Sequence, residues 1–147
     1  MPKILIIDDE EIVRRVLRSL LNKEGYEVIE AEDGGAGVEL AKKEDPDVIL
    51  MDLRMPVMDG LKACRLLKKD KKTKNIPVLV VTAISESKME AIKAGIDDCV
   101  NKPFNAEELS IRVKSMLKIK KLTDGMERLY AYVEDIDKQQ KDKIQDR

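Results

Sequence analysis

At 147 residues the chain has room for one domain of ordinary size with a modest extension, and its core needs no disulfide or metal to close. Lysine and arginine number 28 against 29 aspartates and glutamates, a net charge of -1 that gives no reason to expect nucleic-acid binding or attraction to a membrane. Histidine is absent, which removes Ser–His triads, histidine-held zinc and imidazole acid–base chemistry and leaves carboxylates, hydroxyls and amines to act.

The first apolar run, ILII at 4–7, follows a short start with one lysine and is neither a signal peptide nor a membrane span. After it, Ile12, Val13, Val16, Leu17, Leu20 and Leu21 recur with helical spacing, and Gly25 is placed to stop that helix. A second strand is expected at 26–31, then a short helix marked by Val38, Leu40 and Ala41. The third strand is DVILM at 47–51, followed by a helix carrying Leu61, Cys64 and Leu67. PVLVVTA at 77–83 makes the fourth strand, 87–94 a fourth helix ending at Gly95, and DCVN at 98–101 the fifth strand.

Strand then helix, repeated, predicts a doubly wound α/β fold with a five-stranded parallel sheet; the third and fourth strands are apolar almost throughout, as central strands covered on both faces should be. From Ala106 the helical pattern outlasts what the domain needs, giving an extended C-terminal helix. Ile119, Leu122, Met126, Leu129, Val133 and Ile136 recur at alternating spacings of three and four, a short heptad seam. Three readings follow: a homodimer paired through this helix, one amphipathic helix lying on its own domain, or a helical linker. Cys64 and Cys99, far apart in apolar patterns, form neither a disulfide nor a metal site, and a reducing cytoplasm is the expected compartment.

In open α/β sheets the site lies beyond the carboxyl ends of the strands. There the first strand ends in Asp8 and Asp9, the third in Asp52, the fourth in Thr82 and Ala83, and the fifth in Lys102 before Pro103. Singly, each has a bland reading, as helix cap or solvated loop residue. Together they do not: two carboxylates about 4 Å apart repel by about 4 kcal/mol at an effective dielectric of about 20, so three at one edge demand cations. Lys102 is one, and a divalent ion with few protein oxygens and room for water, Mg²⁺, is the other. A carboxylate so placed can attack phosphorus, with an ammonium and a hydroxyl beside the product's oxygens, and Asp52, Lys102 and Thr82 fit those roles.

LIIDDEE, VILMDLRMPVMDG, VLVVTA and VNKPF, in this order, resemble the response-regulator receiver family of two-component signalling, including its chemotaxis regulators, over about residues 3–118. The resemblance implies a flavodoxin-like strand order 2-1-3-4-5, a receiver domain at 1–118 and a helical extension or linker at 119–147. It implies that Asp52 accepts a phosphoryl group from a sensor histidine kinase or phosphotransfer protein, as a signalling switch and not an enzyme. Asp9, Asp52 and the backbone carbonyl of Arg54 would bind Mg²⁺, with Asp8 assisting through water. Lys102, its bond to Pro103 cis, would contact the phosphoryl group, Thr82 would be the switch hydroxyl, and Ala83 would leave room for access; Arg54 and Ile84 would flank the group. Pro56, Asp59 and Gly60 would shape the turn into the third helix. One departure is clear: where the family usually carries an aromatic ring three residues before the lysine, this chain has Cys99. The enzyme alternative, a magnesium-dependent aspartyl-phosphate hydrolase, would carry D-x-D on its first strand, whereas Asp8 and Asp9 are adjacent here. No direct nucleic-acid partner is expected.

Overall fold

The computed structural model describes residues 1–55, 58–83, 88–120, 122 and 125–145; Pro56, Ile84 and Ser87, named above, lie outside them. Five parallel strands, β1 (Lys3–Ile7), β2 (Glu27–Ala31), β3 (Val48–Met51), β4 (Val78–Thr82) and β5 (Asp98–Asn101), lie in the order β2-β1-β3-β4-β5. Between and after them run α1 (Glu11–Lys23), α2 (Gly34–Glu44), α3 (Gly60–Lys69), α4 (Lys88–Lys93), α5 (Ala106–Ile119) and α6 (Gly125–Gln145).

Side chains alternate across the sheet and so build two cores. Leu5, Ile7, Ile49, Val78 and Val80 face α2, α3 and α4, where Val38, Ala41, Ala63, Cys64, Leu67 and Ala91 meet them. Ile4, Ile6, Val48, Leu50, Leu79 and Val81 face α1 and α5, against Leu17, Leu21, Leu109, Val113 and Met116. Each fully buried Leu, Ile or Val contributes about 1.5–3 kcal/mol, which gives the sheet the stiffness to hold charged groups at its end.

The helices begin and end where local chemistry dictates. Asp33, Asp59 and Asn105 cap α2, α3 and α5 by accepting the N–H groups of Ala36, Lys62 and Glu108, an effect worth about 1 kcal/mol each. Gly25 and Gly95, expected as stops, sit at φ +90° and +98°, where a side chain would be strained. The second helix is longer than expected because Gly34, Gly35 and Gly37 dilute the helical pattern in sequence while the Asp33 cap starts the helix anyway. On α1 the buried line is Arg14, Leu17 and Leu21, which turns Ile12 and Val16 outward to 75% and 47% exposure.

The C-terminal segment also departs from its apolar spacing. The helix is not continuous from α5, and α6 lies back on its own domain with Tyr132 buried among the residues of the α1/α5 core. Met126, Leu129 and Val133 of the expected seam face solvent instead, at 75%, 53% and 57% exposure. Hydrogen bonds select the inner face: Asp135 accepts from Ser115 Oγ and Lys118 Nζ, both at 2.6 Å, and Gln139 Nε2 donates to Ser115 Oγ at 2.8 Å.

Register delivers the carboxylates. Ile7 pairs with Met51, so Asp8 and Asp52 are the next residues along adjacent strands, and Thr82 pairs with Asn101, which puts Lys102 one step further on. Gly60 closes the acceptor loop: its N–H donates to Leu53 O at 2.9 Å, and a Cβ there would stand 2.3 Å from the backbone oxygen of Asp52. Gly60→Ala is therefore expected to lower unfolding free energy by about 1–3 kcal/mol in urea titration, through overpacking against backbone. Burial pushes the Cys64 thiol up to about 11, so an alkylating reagent at mildly basic pH should leave Cys64 unmodified in the folded protein and label it on unfolding, as peptide mass mapping would show.

Candidate functional site

A cleft of about 420 Å³ at the carboxyl end of the sheet is lined by Asp9, Glu10, Asp52, Arg54, Met55, Thr82, Ala83 and Lys102. Asp8 lies beneath it, 2% exposed, and Asp52 is 5% exposed. The two buried carboxylates are held in the same way. Asp8 accepts the Glu10 N–H on Oδ1 at 2.9 Å and Lys102 Nζ on Oδ2 at 3.0 Å; Asp52 accepts the Arg54 N–H on Oδ1 at 3.2 Å and Lys102 Nζ on Oδ2 at 3.1 Å. Lys102 is thus shared between strands 94 and 50 residues upstream, while its own N–H donates to Thr82 O at 2.9 Å. The Lys102–Pro103 peptide is cis.

One oxygen from each of Asp8, Asp9, Glu10 and Asp52 lies within 4.8 Å of the others. Among the described residues, Lys102 is the one cation within ion-pair distance of this cluster, reaching Asp8, Asp52 and, at 3.9 Å, Glu10. At such spacing each like pair costs about 3–4 kcal/mol at an effective dielectric of about 20, so three negative charges in excess favour a cation. The donors are all carboxylate oxygens with no imidazole or thiolate, a set that suits Mg²⁺ and not zinc or copper. Burial and pairing act on these groups in opposite directions. Burial raises the pKa of Asp8, and the hydrogen bonds from Glu10 and Lys102 only partly oppose it. For Lys102 burial acts downward, but the hydrogen bonds to Asp8 and Asp52 outweigh it and leave the ammonium above its ordinary value.

The structure brings together Asp8, Asp9, Asp52, Arg54, Thr82, Ala83 and Lys102, with Thr82 fully buried and Ala83 exposed. Cys99 does not join them; it lies on β5 in a second cleft with Tyr132 of α6. Two residues of the site were not selected from sequence. Glu10 adds a fourth carboxylate, and the run DDEE was its signal. Arg14, 9% exposed, donates from Nη1 to the Asp8 carbonyl at 2.7 Å and pairs through Nε with Glu30 at 3.3 Å. Its signal was a basic residue in line with Leu17 and Leu21 on the buried stripe of α1.

Against known proteins, residues 4–114 match the family model for the response regulator receiver domain. The chain is 40% identical over 120 residues to the DNA-binding dual master transcriptional regulator RpaA of Synechocystis, covering 80% of this chain and 50% of that protein. Among solved structures, a response regulator of Chloroflexus aurantiacus superposes with a TM-score of 0.77 at 33% identity, covering 80% of this chain and 99% of that one. The receiver domain of the sensor histidine kinase PA1611 of Pseudomonas aeruginosa, solved with magnesium in its active-site cleft, gives 0.75 at 29% identity over 80% of this chain and 98% of that one. The chain belongs to the response regulator receiver domain family, whose members are phosphoacceptors of two-component signalling.

The chain spans about half the length of the curated relatives it matches. The expectation of no direct nucleic-acid partner is thereby overturned: it rested on the net charge of this chain, whereas a relative named for DNA binding is twice the length of the matching part. Among the described residues no helix is long and apolar enough to cross a membrane.

Two substitutions separate repulsion from pairing. Because the folded pKa of Asp8 is raised, the stability it confers is present when it is protonated and is lost as pH rises from 3.8 through the folded value. At neutral pH without divalent ions, Asp8→Asn should therefore stabilise the fold, by about 0.5–2 kcal/mol, and weaken Mg²⁺ binding. Lys102→Ala should act oppositely, costing about 3–5 kcal/mol because two buried carboxylates lose their counter-charge. Urea unfolding in chelator, repeated with Mg²⁺, reads both.

Proposed function

We propose that Asp52 is the residue that takes the phosphoryl group, and that the chain is a receiver switched by it. The supporting observation is the environment of that carboxylate: 5% exposed, one oxygen bound by the Arg54 N–H and the other by Lys102, at the wall of an open cleft. An Asp52 oxygen attacks phosphorus; a P–O bond to the carboxylate forms while the bond to the donor breaks, and the donor's leaving group departs with that bond's electrons. From a phosphohistidine donor the leaving group is imidazole, so a histidine kinase or phosphotransfer protein is the source.

Asp9, Asp52 and the carbonyl of Arg54, with Asp8 through a water, are the groups proposed to hold Mg²⁺, whose charge offsets that of the phosphoryl oxygens when bound. Lys102 keeps its proton and pairs with those oxygens. Thr82 serves as the hydroxyl that follows the new charge, and Ala83 leaves the approach open. Transfer of the phosphoryl group to Asp52 and hydrolysis of the resulting acyl phosphate at the same site are the only chemistry proposed for the chain itself. The compartment proposed is the cytoplasm, consistent with a chain whose two cysteines, Cys64 of α3 and Cys99 of β5, sit on separate elements and form no disulfide with each other. The output proposed is control of transcription, with DNA as the partner, as named for the Synechocystis relative.

With acetyl phosphate and Mg²⁺ the intact protein should gain the mass of one phosphoryl group, mapped to Asp52. Asp52→Asn should gain none. A gain that persists in that variant would move the acceptor elsewhere.

A further inference from the structure

β5 has the phosphoacceptor site at one end and α6 at the other. Lys102 follows the last residue of β5, while Asp98 is the first and Asp97 precedes it. Four residue steps, about 13 Å of extended chain, separate Asp98 from Lys102. Tyr132 of α6, 4% exposed, donates its hydroxyl to Asp98 Oδ2 at 2.5 Å, and Arg112 of α5 pairs with the same oxygen. Arg128 Nε lies 3.3 Å from Asp97 Oδ1. The seat of α6 is therefore read off the start of β5 as well as off α5.

Two features allow this seat to change. Among the described residues β5 is an edge strand with β4 as its single strand neighbour, whereas β1, β3 and β4 are each paired on both sides. Beside it, a cleft of about 560 Å³ lies between α4, β5 and α6, lined by Ile92, Ile96, Cys99, Leu129 and Tyr132 among others. The seat is also incomplete: Arg128 Nε and Nη2 are both buried without a hydrogen-bond partner among the described residues, so that Nε meets Asp97 as an ion pair alone, and movement of α6 relieves that cost.

We propose that α6 is the reporter of Asp52, its seat on Asp97 and Asp98 weakened by phosphorylation through a shift of β5. The inference rests on Asp52 being the acceptor. Phosphorylation replaces a carboxylate that shares Lys102 with Asp8 by a group carrying about two negative charges. Lys102 follows the larger charge and draws the end of β5 with it. The seat described here coexists with Lys102 shared between the two aspartates, so a shift of β5 acts against it. Coupling is reciprocal: loosening α6 must favour the phosphorylated form by the same factor.

The test is amide exchange of the full chain with and without beryllofluoride and Mg²⁺, which mimic the phosphoryl group. Amides of α6 from Arg128 to Gln139 should exchange about 5–150-fold faster in its presence, the usual range of coupling between sites. Tyr132→Phe, which removes one hydroxyl, should bind beryllofluoride several-fold more tightly than the parent; Lys141→Ala, on the outer face of the same helix, should bind it unchanged. Response of the amides near Asp52 and Lys102 with unchanged or slowed exchange in α6, or unchanged affinity in Tyr132→Phe, would overturn the reporter role and leave the acceptor reading standing. No response at either place removes both.

Discussion

The sharing of one ammonium between two buried carboxylates governs this molecule. Asp8 and Asp52 are neighbours because β1 and β3 pair in register, and nothing in the hydrophobic core favours their charges. Asp8 feels this directly, since its burial outweighs its hydrogen bonds. Much of the surrounding structure serves to keep these groups in place despite their repulsion. Arg14 holds the Asp8 carbonyl from α1, the backbone of Glu10 and of Arg54 each take one carboxylate oxygen, and Gly60 lets α3 approach the Asp52 backbone. The site is a place where free energy is spent in advance, so that a cation or a transferred phosphoryl group finds its partners already oriented.

Legibility in the sequence followed interaction range. The strands were plain because each is a short apolar run, and the site residues were plain because each is the polar residue that ends such a run. Position at a strand end is a local property, so Asp9, Asp52, Thr82, Ala83 and Lys102 could be assembled without coordinates. Arg14 could not, because an arginine inside an amphipathic helix reads as surface until the carbonyl it binds is known. Glu10 was hidden by its neighbours, since in a run of four acids nothing local says how many face inward.

The C-terminal helix shows a different limit. Its apolar residues fall on two faces: Met126, Leu129 and Val133 on one, Tyr132 and Ile136 towards the domain. Spacing alone favours the longer series, and spacing is all that a periodicity reading weighs. What decided the outcome was polar: a tyrosine that can bury its ring and still donate its hydroxyl, with an aspartate and a glutamine placed to engage Ser115. Those partners lie 20 to 34 residues away in the chain, beyond any local pattern. The family model ends at residue 114, so this helix lies outside the part of the chain that it matches.

Burial of Tyr132 sets a limit on how far α6 can stray. Its ring completes a core with Ile119, Val113 and Met116, and exposing one large side chain of this kind to water costs about 1.5–3 kcal/mol. A detached α6 is for that reason a minor species whenever water is the only thing to replace it, at a population of about one per cent or less for a cost of about 3 kcal/mol. The helix leaves for long only if another apolar surface takes its place. The same tyrosine that marks the switched position therefore makes an output depend on two events together, a charge arriving at one end of β5 and a partner waiting at the other.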